Sequence, residues 1–536
     1  MNSMARFSRK INSWQLVVFV LLGMAAVVRY VALGQIPPGL WYDEALYCMS
    51  ALSIGDPGYP IFFMTGGHPH EPLFVYSLRA WFGLFGISVI SARSCMATWG
   101  LLTVAVMWPL AQRLLGSRPW ATAAVAVIAF MRWPLHFSRT IFRAGLAPLF
   151  ISLTFLLFLR WRERKRAVDA ILCGVVMGIG SYTYLSFRLV PVIWTLWVLW
   201  LLKRKCLSWK EDAAHLMLIV LCAVATFAPL GCDWLRHPDH FSGRTDEVSM
   251  FVTHNDDGTT TNKTTLQVAH DIAANTVAVA GAWFVKGDHV GKHNLPLEPV
   301  FDPITGIIFL IGFLWCVRRC PKNETAFLLL IWFLILCATS VLSFGAPNIL
   351  RMQGAIPPVI LMFIIGLRII YTQIHKRLGT SQARLIIGGV LVIFSCWQLD
   401  TYFRRFPKHP DVRREFLADS FIPPAQTTMQ ALSSDLAKTI WVPEEIAEHT
   451  TFEFITWTRK SDVKTYTPQE KNITTDTKAL VIATRHSLDS AAEQQREAIQ
   501  KMHPVFTWTV PITDENGNEK RIPWGFFFRP IRDNAN

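Results

Sequence analysis

"PLFVYSLRAWFGLFGIS", Pro72 to Ser88, is apolar enough to pass for a membrane span, and the topology of the chain turns on whether it is one. A helix rises ~1.5 Å per residue, so the residues after Pro72 reach about 24 Å, short of a hydrocarbon core of ~30 Å. The stretch also carries Arg79, Gly83 and Gly86. Basic clusters elsewhere decide the matter. They are Arg6/Arg9/Lys10, Arg113/Arg118, "RWRERKR" from Arg160 to Arg166, Lys203–Lys205, "RRCPK" from Arg318 to Lys322, and Lys376/Arg377/Arg384. Short cytoplasmic loops concentrate Lys and Arg. All these clusters fall on one side only if Pro72–Ser88 does not cross. It is therefore expected to be an amphipathic helix lying in the outer interface.

The rest of the chain follows from that parity. Of its 536 residues, 52% are hydrophobic and 17% charged; a soluble domain is nearer about 25% charged. Apolar runs lie at 14–33, 92–112, 119–137, 145–160, 168–186, 189–202, 213–231, 302–317, 325–344, 354–371 and 384–399. The expectation is a mostly α, polytopic membrane protein with about eleven spans. Its N-terminus is cytoplasmic and its C-terminus lies outside the plasma (inner) membrane. The first run is read as a retained span, because it is long for a signal peptide and lacks a small-residue cleavage pattern. The net charge of +14 sits in short loops between spans, which excludes a nucleic-acid partner and fits membrane lipids instead. The ten cysteines lie mostly in apolar runs, and none follows residue 400, so no disulfide-stapled domain is expected.

Two domains are read: a membrane part, 1–400, and a small extracytoplasmic α/β domain, 401–536. In the latter, "KTIWVP" and "ALVIATR" are strands, and "SLDSAAEQQREAIQKM" is an amphipathic helix. "VFTWTVPITDENGNEKRIPWGFFFRP" is a hairpin turning near "DENGN". The outer face collects the unusual segments, above all a first loop, 34–91, and a long loop, 232–301.

From Gly34 to Ser91 there are four acids, Asp43, Glu44, Asp56 and Glu71, against one base, Arg79. Asp56, in "IGDPGYP", is a turn residue. Asp43 and Glu44 sit among Leu40, Trp41, Tyr42, Leu46 and Tyr47, against the membrane, where ionisable groups tend to serve a function. A carboxylate there suits the work of a general base. Arg139, Arg143, Arg188 and Arg351 each stand at the outer end of an expected span. Snorkelling to headgroups explains any one of them. Several together also read as a site for an anion such as a lipid phosphate. Tyr184 reads as a sugar-lining residue or an interface anchor.

The pattern "PPGLWYDEALY", then "HPHEPLFVY", resembles the first outer loop of the GT-C glycosyltransferases, in particular bacterial relatives of protein O-mannosyltransferases and lipid A aminoarabinose transferases. "FSRTIFRAGLAPLF", "YTYLSFRLVPV", "HNLPLEPVFDPITGIIFLIGF" and "LRMQGAIPPV" follow in family order. The resemblance covers about residues 10–400. It implies transfer of a sugar from a polyprenyl-phosphate donor to a lipid, protein or glycan acceptor, with inversion. It maps the family's loop aspartate onto Asp43, with Glu44 in support, and the acid of its "E-K-P-P" motif onto Glu71. Here the motif reads "HEPL", so the lysine is missing. Arg351 maps onto a phosphate contact, with Arg143 and Arg188 beside it.

Two questions stay open on the residues alone. Asp43, Glu71, His68 and His70 are able to bind a divalent cation, but no paired-acid motif follows in the next outer loop, and metal-independent chemistry is the preferred reading. The two histidines otherwise serve as hydrogen-bonding loop residues. A membrane transporter or flippase for lipid-linked sugar is the alternative; it calls for midplane charges, broken helices and a repeat between halves.

Overall fold

The structure, a computed structural model, describes residues 13–55, 58–65, 68–254, 260–418, 420–434, 436–467, 479–484, 503–513 and 519–529. It is mostly helical and falls into two compact units. The first comprises Met1–Val31, Tyr59–Phe74 and Ser94–Arg405. The second comprises Ala32–Gly58, Val75–Arg93 and Phe406–Asn536. The unit holding the polar tail thus also takes in two stretches of the first loop.

Every apolar run expected to span is helical. Among the described residues, eight helices are long and apolar enough to cross a membrane. They are α1 (Ser13–Tyr30), α4 (Val89–Leu115), α7 (Ala147–Arg164), α9 (Val190–Lys203), α10 (Trp209–Arg236), α14 (Glu324–Val341), α15 (Ile356–Leu378) and α16 (Thr380–Asp400), some lengthened by a 3-10 turn. The three remaining runs are shorter: α5 (Arg118–Phe130), α8 (Ala167–Gly180) and α13 (Pro303–Arg319). The run after α5 breaks at Met131, whose ψ of 130° is extended, and resumes as α6 (Arg132–Phe137). The stretch from Pro72 is α3 (Leu73–Phe85), only 13 residues long. It buries Phe74, Val75, Leu78 and Phe82, and exposes Arg79, Leu84 and Phe85, the amphipathic pattern expected of it.

Within the first unit, small residues let helices approach. A Cβ at Gly174 of α8 would stand 2.3 Å from the Ile219 carbonyl oxygen of α10, and one at Gly178 2.7 Å from that of Ala223. At Gly312 of α13 it would be 1.7 Å from the Met362 oxygen of α15, and at Gly366 1.9 Å from that of Ile308. Close glycine crossings of this kind replace the hydrophobic drive that lipid removes. Gly312→Val should destabilise the protein by about 1–3 kcal/mol. Thermal unfolding of the detergent-purified protein measures this, and an unchanged midpoint would refute so tight a crossing.

Buried arginines hold backbone carbonyls at the helix ends. α1 stops at Tyr30, leaving its last carbonyls without helical partners. Arg139, fully buried, donates to the carbonyls of Val28 (2.8 Å), Arg29 (2.9 Å) and Val31 (2.8 Å). Both of its terminal guanidinium nitrogens thus cap the end of α1. Arg29 in turn donates to the carbonyls of Ala25, Ile128 and Ala129.

In the second unit, the turn before α2 (Tyr42–Leu52) packs on the segment after α17 (Pro410–Glu415). Gly39 has φ +79°, and a Cβ there would lie 2.2 Å from the Phe416 carbonyl oxygen, which accepts from the Leu40 N–H at 2.9 Å. Both the left-handed φ and the contact demand glycine. The tail holds α18 (Ile422–Ser433), β5 (Thr439–Pro443), α19 (Glu444–Ala447), α20 (Thr450–Thr456), β6 (Val463–Tyr466), β7 (Ala479–Thr484), β8 (His503–Thr513) and β9 (Glu519–Arg529). The sheet order is β6-β5-β7-β9-β8. β5 runs parallel to β6 and β7, and β9 is antiparallel to β7 and β8. The strands read in "KTIWVP" and "ALVIATR" are β5 and β7, and the hairpin is β8–β9. The helix read at 487–502, the turn at "DENGN" and Asp56 lie outside the described residues.

Candidate functional site

The first loop re-enters the first unit as a small hairpin, β1 (Phe63–Thr65) and β2 (His68–His70), with Phe63 opposite His70. The His70 ring, 3% exposed, stacks on Phe63 at 5.8 Å between centroids. His68 lies on β2, and its side chain is outside the described residues. Glu71 follows directly and is 2% exposed. The backbone N–H of Leu73 donates to the Tyr182 carbonyl at 3.1 Å, fixing the start of α3 beside the turn after α8.

Two arginines converge on Glu71. Arg143 opens the 3-10 turn Arg143–Leu146, and its Nη1 lies 3.1 Å from Glu71 Oε2. Arg188 stands in the 3-10 turn Leu185–Leu189, with Nη2 3.7 Å from Oε1. Tyr184 lies beneath Arg143, its ring centroid 5.6 Å from the guanidinium carbon. Arg188 is flanked by Trp234 (4.3 Å) and Phe241 (4.5 Å), and donates to the Phe241 carbonyl at 2.7 Å. The basic groups that meet Glu71 are thus arginines distant in sequence. Burial pushes the Glu71 carboxyl above its ordinary value, while Arg188 and, more weakly, Arg244 pull it down. Among the described residues, two guanidinium groups meet this one carboxylate.

Arg351 belongs to the same unit. It donates from Nη1 to the Phe344 carbonyl at 2.7 Å and lies over the Phe344 ring at 5.1 Å. Burial holds its guanidinium below the usual arginine value; Tyr184 and Asp288 act against that, and Arg244 adds to it. The sequence reading missed Arg244, which acts electrostatically on both Glu71 and Arg351. Arg244 sits in a polar stretch with nothing local to single it out.

The acidic pair lies in the second unit, and the structure separates its members. Glu44 is fully buried. It accepts from the Trp41 N–H at 3.0 Å and pairs with Arg93, also fully buried, at 3.4 Å. Arg93 further donates to the carbonyls of Leu33, Pro37 and Gly39. Glu44 therefore shapes the loop. Asp43, one residue earlier on the first turn of α2, is half-buried and makes no hydrogen bond or ion pair among the described residues. The helix dipole favours negative charge there.

Among the described residues, one group of side chains has the spacing to hold a cation. Asp233 in α10, His237 at its end and His240 in α11 (Pro238–Glu247) bring their ligand atoms within 4.8 Å of one another. His240 Nδ1 is 2.7 Å from one Asp233 oxygen and His237 Nδ1 3.4 Å from the other. Two imidazoles and a carboxylate suit zinc or another first-row divalent ion. The signal was in the sequence, as Asp and His at i, i+4 and i+7. Glu71, weighed there as a ligand, has its oxygens engaged by arginines instead.

A family model described as dolichyl-phosphate-mannose-protein mannosyltransferase matches residues 67–231, which carry Glu71, Arg143 and Arg188. No curated protein matches the chain. The crystal structure of ArnT from Cupriavidus metallidurans bound to undecaprenyl phosphate is similar with a TM-score of 0.52 and 12% identity, over 96% of this chain and 97% of that one. The apo state of the same protein gives 0.51 and 12%, over 95% and 97%. The oligosaccharyltransferase of Archaeoglobus fulgidus, in complex with Zn and sulfate, gives 0.45 and 11%, over 94% and 72%, a likeness too faint to define a fold. The class so defined is a multi-pass membrane protein with a fold like that of ArnT. Over residues 67–231 the chain is similar to the dolichyl-phosphate-mannose-protein mannosyltransferases.

Proposed function

We propose that this protein moves a sugar from a polyprenyl-phosphate donor to a lipid, protein or glycan acceptor on the outer face of the plasma (inner) membrane, with inversion at the anomeric carbon. The observation that carries this reading is the buried cluster in which Arg143 and Arg188 outnumber the single carboxylate Glu71. A sugar phosphate already has a good leaving group. It needs positive charge where the phosphate departs, preorganised so that nothing reorients during reaction. Arg143, Arg188 and Arg351 supply that charge, and Glu71 holds the first two in place. The family match to residues 67–231, and the undecaprenyl phosphate bound in the similar ArnT structure, support a donor of this class.

The acceptor needs a base as its hydroxyl or amine attacks. Asp43 fills that role: among the described residues it has no competing partner, whereas Glu44 is spent on Arg93. Tyr184 and His70 line the donor side, and the N-terminus is cytoplasmic with the C-terminal domain outside. Mass spectrometry of lipids that copurify with the protein tests the donor class. The expected finding is a polyprenyl-phosphate sugar; only bulk phospholipid, from cells that make such donors, counts against it.

Arginines take the part a cation would play at the phosphate. Transfer should therefore survive exhaustive chelation to within about twofold, since the charge needed is already fixed in the protein. Loss of activity restored by zinc or manganese would contradict this and assign the Asp233–His237–His240 group a catalytic part.

A further inference from the structure

We infer that the buried pair Asp288–His293 is a positioning device that sets two phosphate-binding turns at once, the one bearing Arg143 and the one bearing Arg351. The inference rests on the donor-phosphate reading above. Asp288 is fully buried, and each of its carboxylate oxygens is used. Oδ1 accepts from the Val290 N–H at 2.9 Å. Oδ2 accepts from His293 Nδ1 at 3.0 Å and from the Ile349 N–H at 3.1 Å. The Ile349 contact reaches across 61 residues to a position two before Arg351. The same turn is braced by the Trp133 Nε1 proton on the Ile349 carbonyl (3.3 Å) and by Arg351 N–H on Asn348 Oδ1 (3.1 Å).

The other half of the pair faces the other turn. His293 is 4% exposed and packs between Phe137, at 6.4 Å, and Phe142, at 6.3 Å. Phe142 is the residue immediately before Arg143 and caps its 3-10 turn. His136 adds a second tie, donating from Nε2 to the Lys292 carbonyl at 2.8 Å. Segment 288–293 therefore lies under both arginine-bearing turns. Its own shape is locked by the carboxylate: the His293 N–H returns to the Val290 carbonyl at 3.0 Å, closing a compact loop around Asp288. Asp288 accepts three times, as an ionised carboxylate does, and Nδ1 of His293 carries the hydrogen it donates.

A buried carboxylate surrounded by three donors is costly to keep unless those donors are fixed. Fixing them holds the Ile349–Arg351 turn by a hydrogen bond and seats the His293 ring against Phe142, the residue before Arg143. Displacing a phosphate-binding arginine by ~1 Å is enough to cost about 10- to 100-fold where orientation matters. Asp288 and His293 touch no substrate in this account; they act through Arg143 and Arg351.

The test compares His293→Phe, which keeps the packing and removes the donor, with His293→Asn, whose amide nitrogen falls near the Nδ1 position. Asp288→Asn, which loses one acceptor oxygen and the charge, is the third variant. Two quantities are measured on folded, monodisperse protein: equilibrium binding of a short-chain polyprenyl phosphate without acceptor, and steady-state transfer with donor and acceptor varied separately. The expected result is donor KM and lipid-phosphate Kd raised about 10- to 100-fold in His293→Phe and Asp288→Asn, from misplaced arginines. Acceptor KM should stay within about twofold, because only the donor's phosphate contacts are moved; His293→Asn, which keeps the donor to Asp288 but loses the ring packed on Phe142, should fall between wild type and His293→Phe. The inference is overturned if His293→Phe binds the lipid phosphate as wild type does, or if His293→Asn loses as much as His293→Phe. Should His293→Phe fail to fold, Asp288→Asn with the same two readouts decides it. Wild type that binds polyprenyl phosphate but transfers no sugar sinks the proposed function and leaves this inference standing; wild type that binds no lipid phosphate sinks both.

Discussion

Asp43→Asn should lower kcat by about 10²- to 10⁴-fold, the usual worth of a positioned general base, while leaving donor KM and thermal stability close to wild type. The substitution preserves shape and removes only the capacity to take a proton. It costs little in folding because Asp43 is half-buried and has no partner among the described residues to lose. Glu44→Gln is the matched control. Glu44 and Arg93 are both fully buried, and removing one charge of a buried pair costs about 3–5 kcal/mol. Glu44→Gln is therefore expected to lower the unfolding midpoint, with kcat per folded molecule little changed. Steady-state kinetics with both substrates varied, beside thermal unfolding, separates the two acids. An Asp43→Asn enzyme within threefold of wild type would remove Asp43 from the mechanism.

Arg351→Met should reduce kcat/KM for the donor by about 10²- to 10³-fold, as losing one fixed donor at a developing anion does elsewhere. Arg351→Lys should recover part of this and no more, because a point charge does not reproduce the guanidinium fork on a phosphate. The contrast is Arg139→Met. Arg139 stands four residues before Arg143, yet its two terminal nitrogens donate to the carbonyls of Val28, Arg29 and Val31. That change should cost stability, because buried carbonyls lose their donors, and leave donor KM unchanged in the protein that folds. If Arg139→Met and Arg351→Met shared one kinetic signature, the division between capping and phosphate-binding arginines would be wrong.

What the sequence made legible was whatever length and periodicity govern. The eleven apolar runs are helical, one of them broken at Met131, because a run of apolar residues between basic loops leaves the backbone few other ways to bury its polar groups in lipid. The short helix from Leu73 was legible for the same reason, from its reach and its arginine. The arginine cluster was legible in part: Arg143 and Arg188 were singled out by position, and they do converge on Glu71. Which distant carbonyl or carboxylate each arginine would meet was not. Arg139 and Arg143 look alike in "FSRTIFR", and only the fold sends one to the end of α1 and the other to Glu71. Glu44 beside Asp43 posed the same problem, since its partner, Arg93, lies 49 residues away at the start of α4. Asp288 gave no signal at all; a lone aspartate in "KGDHVGK" becomes informative only when the Ile349 N–H arrives on it.

The central claim is that a glycosyl–phosphate bond is broken and a new glycosidic bond formed. Purified protein reconstituted in vesicles with a defined polyprenyl-phosphate sugar, and with candidate acceptors outside, measures this directly by mass spectrometry and anomer-resolved NMR. The predicted result is free polyprenyl phosphate in step with an acceptor carrying the sugar at the inverted anomeric centre, abolished by Asp43→Asn. Donor that crosses the vesicle membrane with its glycosyl–phosphate bond intact, and no acceptor modified, would contradict the account and identify a transporter of lipid-linked sugar.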